Sequence, residues 1–363
     1  MQQESSASAS LSTSISQLVR SGLRITLNSP RLSLFLLRQL GNQRRAARVR
    51  QRWERAGTHI PPLIMNTVTG QCNLHCAGCY ARAQGRPLEH EMSADLLRSL
   101  VAQADELGVA VYLITGGEPF LRPELLDITA QHPRMLFPVF TNGTLIDDHI
   151  VERLRHQPQV VPLISLEGRP EATDARRGAG VHARVLDTMQ RLHRHNLLFG
   201  TSVTVTRDNF VLVTGEEYVR GLLALGCRVV IYVNYIPIQE GTEALAPTQE
   251  QCLSEPGIMR TLRANLPALF VCFPGNEMAL GGCLAAGRGL CHIGPAGSLE
   301  PCPFSPFSDV NLAGTSLKDG LHSALFRAIQ AHSNDLTQVH GSCVLWENRE
   351  WVNSLTQKEQ TQS

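Results

Sequence analysis

The sequence predicts an α/β fold. Its main body is a partial (β/α)6 barrel of the TIM type, with a small cysteine-rich α+β unit after it and a basic helical arm before it. Three observations carry this. Short β-branched runs alternate with helical patterns from residue 63 to about 234, which requires crossover connections and parallel pairing. No glycine-rich dinucleotide fingerprint follows the first strand, which favours a barrel over a doubly wound sheet. After about residue 240 the alternation stops, and residues 270–305 become rich in Gly, Pro and Cys.

The elements follow in order. Residues 1–15 are rich in Ser, Gln and Thr and are expected to be disordered. Ser29-Pro30 reads as an N-cap followed by proline at the first helical position. Leu34, Leu37 and Leu40 then recur at helical spacing, and an Arg-rich helix runs to about Arg55, where Gly57–Pro62 ends it. Strands are expected at 63–68, 110–114, 136–140, 160–165, 199–205 and 228–234. Helices are expected at 93–107, 123–131, 146–156, 181–195 and 214–225, with a last one over 317–331. The implied units are 1–60 (start and basic arm), 61–240 (barrel) and 241–363 (cysteine-rich region and polar tail).

With 43% apolar and 18% charged residues in 363, the chain can bury a sizeable core, which excludes a mainly disordered or coiled-coil protein. A net charge of +1 argues against a general polyanion binder, and no nucleic-acid partner is expected. The charge is uneven. Residues 1–60 hold ten Arg against Glu4 and Glu54, an excess of +8, so the remainder carries −7. The arm is expected to be a solvated helix packed on the barrel by its Leu stripe. The alternative is contact with a membrane surface or an acidic partner. Only Lys318 and Lys358 represent lysine, which weakens any Schiff-base mechanism. No stretch approaches the roughly 20 apolar residues of a membrane span, and no secretory signal is legible. A cytoplasmic, reducing compartment is expected, where ten Cys imply metal or redox chemistry.

Cys72-Asn-Leu-His-Cys76-Ala-Gly-Cys79 directly follows the first strand. Such a loop can turn three thiolates onto one cluster, and a [4Fe–4S] cluster normally takes four ligands. One iron would then lack a protein ligand; a zinc site is the plainer alternative. Gly116-Gly117-Glu118-Pro119 follows the second strand, Thr141-Asn142-Gly143-Thr144 the third and Ser165-Leu166-Glu167-Gly168 the fourth. Asp174 and Arg176-Arg177-Gly178 come next. All fall at the carboxyl ends of successive strands, the face where such barrels build active sites.

Together these motifs resemble those of the radical SAM superfamily. The resemblance implies that the open iron chelates the amino and carboxylate groups of S-adenosylmethionine (SAM). One electron then splits the sulfonium to methionine and a 5′-deoxyadenosyl radical, which abstracts hydrogen from a substrate. Gly116, Gly117, Glu118 and Pro119 match the family's GGEP motif, which meets the SAM amino group, and Asn142 lies in its TNG-type turn. Ser165 and Glu167 resemble the ribose-binding SxDG element, with Glu in place of Asp. Arg177 matches the arginine that faces the SAM carboxylate. The position before the last Cys is often aromatic in the family and here is Gly78; Tyr80 is expected near the adenine instead. An electron donor such as flavodoxin or ferredoxin is implied.

Cys283, Cys291 and Cys302 resemble the first half of the SPASM region of peptide- and protein-modifying members, in a shortened, twitch-like form. Pro295-Ala-Gly297 reads as a hairpin turn. The resemblance implies an auxiliary [4Fe–4S] cluster on Cys283, Cys291, Cys302 and Cys343, with Cys272 as a competing ligand. Four Cys favour electron transfer; three would leave an iron for substrate. A zinc knuckle or free buried thiols remain the alternative. The expected substrate is a peptide or protein. A small-molecule or tetrapyrrole pathway is the second reading, and a non-catalytic iron–sulfur or zinc protein the rival of another class.

Overall fold

The computed structural model describes residues 30–85, 91–274, 282–332 and 343–360. The expected disordered start, residues 1–15, lies outside them. The strands are β1 (Leu63–Thr67), β2 (Val111–Thr115), β3 (Phe137–Thr141), β4 (Val160–Ser165), β5 (Gly200–Val205), β6 (Val229–Asn234), β7 (Leu269–Phe273), β8 (Leu290–Ile293) and β9 (Leu299–Glu300). They form one nine-stranded sheet in the order β7-β6-β5-β4-β3-β2-β1-β8-β9. Every pairing is parallel except that of β8 with β9. The sheet curls into an open barrel, because Phe273 of β7 packs with Met65, Leu113 and Leu290 from the other side of the sheet.

Strand alternation sorts the two faces. Val230, Tyr232, Phe270 and Cys272 belong to the main core, whereas Ile231, Val233, Val271 and Phe273 are only partly buried and line the barrel interior. Crossover helices at Ala94–Leu107, Leu125–Ala130, Asp148–Arg155, Val181–Arg194 and Glu216–Ala224 cover the outside. Local chemistry sets their ends. Ser93 and Asp147 accept from Leu96 N and Ile150 N as N-caps, and Gly108 closes the first helix at φ +84°.

Six strands lie where alternation placed them. Strand β7 was not expected, and β8 extends the sheet past β1, so the cysteine-rich segment contributes to the barrel sheet itself. The hairpin at Pro295–Gly297 is present, with Gly297 at φ +87°. The expected helix 317–331 is two helices, Leu317–Gly320 and Ala324–Ala331, because Ser323 caps the second by accepting from Phe326 N.

The arm is helix α1 (Pro30–Arg55). It does not pack by the expected Leu stripe. Leu34 and Leu37 are 49% and 55% exposed, while Phe35, Leu36, Gln39 and Gln43 are buried. The buried face is centred about 145° around the helix from that stripe, and of the three leucines only Leu40, at its edge, packs with Phe35 and Leu36. Gln43 and Arg50 reach the carbonyls of Ala110 and Gly108, which the expected stripe could not satisfy.

Candidate functional site

The loop after β1 is held from both sides. Glu91 accepts from Thr69 Oγ1 and Gly70 N, each at 2.7 Å. From the β2 side, Gly117 N donates to Thr69 O at 2.7 Å and Glu118 N to Gln71 O at 2.8 Å. A Cβ on Gly117 would stand 2.1 Å from Gln71 O, so this position must be glycine for the two loops to touch. The neighbour that demands the glycine is thus the cysteine loop. A Cβ on Gly116 would stand 3.0 Å from Thr69 O, a milder crowding by the same loop.

Glu118 is fully buried and ties this layer to the loop after β3. Its carboxylate accepts from Thr141 Oγ1 and Asn142 N at 2.7 Å each. Burial pushes its pKa up, against the pull of these donors. Pro119 opens a short 3₁₀ turn, Pro119–Leu121. Asn142 Nδ2 donates to Asn73 Oδ1 at 2.8 Å and lies 3.9 Å from Cys72 Sγ. Three strand ends therefore converge on the cysteine loop.

Cys72, Cys76 and Cys79 are all half-buried on that loop. Burial raises the Cys72 and Cys76 thiols, and at Cys76 the Arg177 guanidinium opposes the shift. Arg177 Nη1 is 4.0 Å from Cys76 Sγ, and Ala77 N donates to Arg176 O at 2.8 Å. Arg177 also grips buried Glu167 with two hydrogen bonds, Nε to Oε2 at 2.5 Å and Nη2 to Oε1. Two residues assigned to different parts of one ligand are thus bound to each other. Ser165 ends β4 beside Ser202. Among the described residues no three His, Cys, Asp or Glu side chains close on a single metal ion. Three soft thiolates on one loop beside a guanidinium suit an iron–sulfur cluster in which one iron has no protein ligand. Bound there, such a cluster would supply the electron for cleaving SAM.

Sequence reasoning missed Tyr235, which follows β6. Gly78 has φ +64°, and a Cβ there would stand 2.8 Å from the Tyr235 hydroxyl. A ring from another strand end therefore fills the space beside the position that is often aromatic. The bare Gly78 was the only signal. Tyr80 packs edge-on against Phe304 at 5.4 Å, and Phe304 stacks on Phe273 at 6.0 Å. This joins the first cysteine loop to the second cysteine region.

There, Cys283, Cys302 and Cys343 line one small, partly open cavity with Phe273, Pro274, Leu290, Phe304 and Val344. Its fit to a second cluster rests on the three thiols. Hydrogen bonding with Cys343, then burial, raises the Cys302 thiol well above its usual range. Cys291 is not brought to this cavity. On β8 it alternates with the cavity residue Leu290, joins the core on the opposite face, and burial pushes its thiol up to about 12. Cys272 faces the helices and is hydrogen-bonded to buried Glu255. His292, which its place beside Cys291 suggests as a supporting or solvent-facing group rather than a ligand, does not face solvent: it is fully buried between Glu300 Oε2 and Thr67 Oγ1, each at 2.8 Å.

A model of the radical SAM superfamily matches residues 66–232. The mycofactocin maturase MftC of Mycobacterium tuberculosis is 30% identical over 306 residues, 78% of this chain and 76% of that protein. The AdoMet-dependent heme synthase of Methanosarcina barkeri is 25% identical, covering 80% of this chain and 90% of its own length. Among solved structures, Streptococcus suis SuiB bound to precursor peptide SuiA superposes with a TM-score of 0.63 at 18% identity, over 80% of this chain and 71% of that one. With its strand-end motifs gathered on one cysteine loop and relatives matching most of its length, the chain belongs to the radical SAM superfamily.

Proposed function

We propose that this radical SAM enzyme modifies a peptide or protein and carries a second iron–sulfur cluster on Cys283, Cys302 and Cys343. The observation that supports the second site is three thiols on one cavity whose wall residues Phe273 and Leu290 also pack inside the barrel. Three thiols in place of four favour an iron open to substrate over pure electron transfer. At the first site, Cys72, Cys76 and Cys79 hold the catalytic cluster. Gly116 to Pro119, Asn142, Ser165, Glu167 and Arg177 surround SAM, with Tyr80 at the edge toward the second site. The electron comes from a flavodoxin or ferredoxin, and the compartment is cytoplasmic.

The maturase relative and the peptide-bound SuiB support a peptide substrate. The heme synthase relative favours the second reading, a tetrapyrrole. Anaerobic, dithionite-reduced protein loaded with iron and sulfide is incubated with SAM, and 5′-deoxyadenosine is measured by chromatography. Cys72, Cys76 and Cys79 all changed to Ala should abolish it and lower the iron content from about eight to about four. Loaded wild type that forms no 5′-deoxyadenosine would reject the reading. Peptides encoded beside the gene, set against iron-loaded tetrapyrroles, then separate the substrates by which one is changed in mass.

A further inference from the structure

We propose that the outward face of α1 docks on an anionic lipid bilayer. The helix is anchored by its other side, where Phe35, Leu36, Gln39, Gln43 and Arg50 are buried. Its exposed cations are Arg38, Arg44, Arg45, Arg48, Arg52 and Arg55. At 100° per residue these six fall within a sector of about 120°, together with exposed Leu34 and Leu37. The face is roughly 32 Å long, from Leu34 to Arg55. The only acid of the helix, Glu54, is held by His59 Nδ1 at 2.8 Å and lies off the sector.

A stripe of one sign with two apolar side chains at one end fits the surface of an anionic membrane. The charge balance argues for the same partner. The six arginines of this face carry +6 and the rest of the chain a net −5, so a negative surface attracts this face and repels the rest. Placement is also favourable. Phe35 and Leu36 pack against Leu136 and Leu198, which precede β3 and β5, so α1 covers the amino ends of the strands. The cysteine loop leaves the carboxyl end of β1. Docking through α1 therefore turns the reaction face away from the bilayer and leaves it accessible.

The test is flotation of the full-length protein with vesicles of phosphatidylcholine alone or mixed with phosphatidylglycerol. Binding is expected only to the mixed vesicles and should weaken as salt rises. Each arginine near the surface strengthens partition about five-fold, so Arg44, Arg45, Arg48 and Arg52 all changed to Glu should lower it by at least about 100-fold. Leu34→Ser with Leu37→Ser should lower it at unchanged charge. Both variants should unfold at the wild-type temperature and form 5′-deoxyadenosine at the wild-type rate. Equal binding to neutral vesicles, no binding at low salt, or wild-type binding by the Glu variant would each overturn the proposal. Capture by an acidic protein such as flavodoxin without vesicle binding would overturn it in favour of a protein partner.

Discussion

Gly117→Ala adds one methyl group at the tightest contact of the site. Its Cβ would stand 2.1 Å from Gln71 O, 2.4 Å from Gln71 C and 2.8 Å from Gly70 O. All three atoms are backbone, so no side chain can swing away. The loop after β2 must withdraw by about an ångström to restore contact distance. Withdrawal strains the bonds from Gly117 N to Thr69 O and from Glu118 N to Gln71 O. Overpacking costs about 1–3 kcal/mol and each lost hydrogen bond about 1 kcal/mol, so the total is about 3–5 kcal/mol. Urea unfolding of metal-free protein measures this, with iron retention and 5′-deoxyadenosine read on the loaded form. The variant should fold, lose first-site iron and lose most activity. Gly41→Ala is the internal control. Nothing lies within 4 Å of its added Cβ, and in a helix interior the change should stabilise by about 1 kcal/mol. If Gly117→Ala stays within about 0.5 kcal/mol of wild type and keeps its iron, the contact does not hold the loop.

Cys302→Ser should lose second-site iron while Cys291→Ser keeps it, since Cys291 faces the helix side of β8; iron analysis of both decides, and equal losses would refute the strand-parity argument. Arg177→Ala leaves Glu167 buried without its two charge-assisted bonds, at about 3–5 kcal/mol. Adding Glu167→Ala should recover part of that loss, which a double-mutant cycle in urea would show. Glu118 titrates above its ordinary range because of burial, so it holds its proton more tightly folded than unfolded. Its contribution to stability is full below the unfolded carboxyl range and fades as pH rises through the raised folded value. Glu118→Gln should flatten that part of the stability–pH curve, measured on metal-free protein.

The barrel was legible because each of its first six strands is a short β-branched run followed by a helix-period segment. The motifs were legible because their spacing fixes them to strand ends. Other features depend on three-dimensional neighbours that spacing does not encode. Tyr235 meets Gly78 across 157 positions of chain. Cys291 and Cys302 look alike in sequence, yet strand parity turns Cys291 toward buried Tyr112 on the helix face, while Cys302, just past β9, lines the cavity. Strand β7, Leu269–Phe273, was read as part of an irregular region because the Gly, Pro and Cys around it hide its alternation. The packed face of α1 was misjudged because Leu34 and Leu37 drew attention from Phe35 and from two glutamines that reach backbone carbonyls.

The pairing of β1 with β8 has a consequence for synthesis. Leu63 is hydrogen-bonded in register with Leu290, so one edge of the first strand waits for a segment 227 residues later. At roughly 5–20 residues per second, the ribosome leaves that edge uncovered for roughly 10–45 s. The open edge immediately precedes the cysteine loop, and a bare parallel edge is a template for pairing with another chain. The growing polypeptide thus passes through a window in which its reactive thiols and its stickiest backbone are exposed together. Chaperone engagement during translation would act in that interval, before the late strand covers the edge of β1.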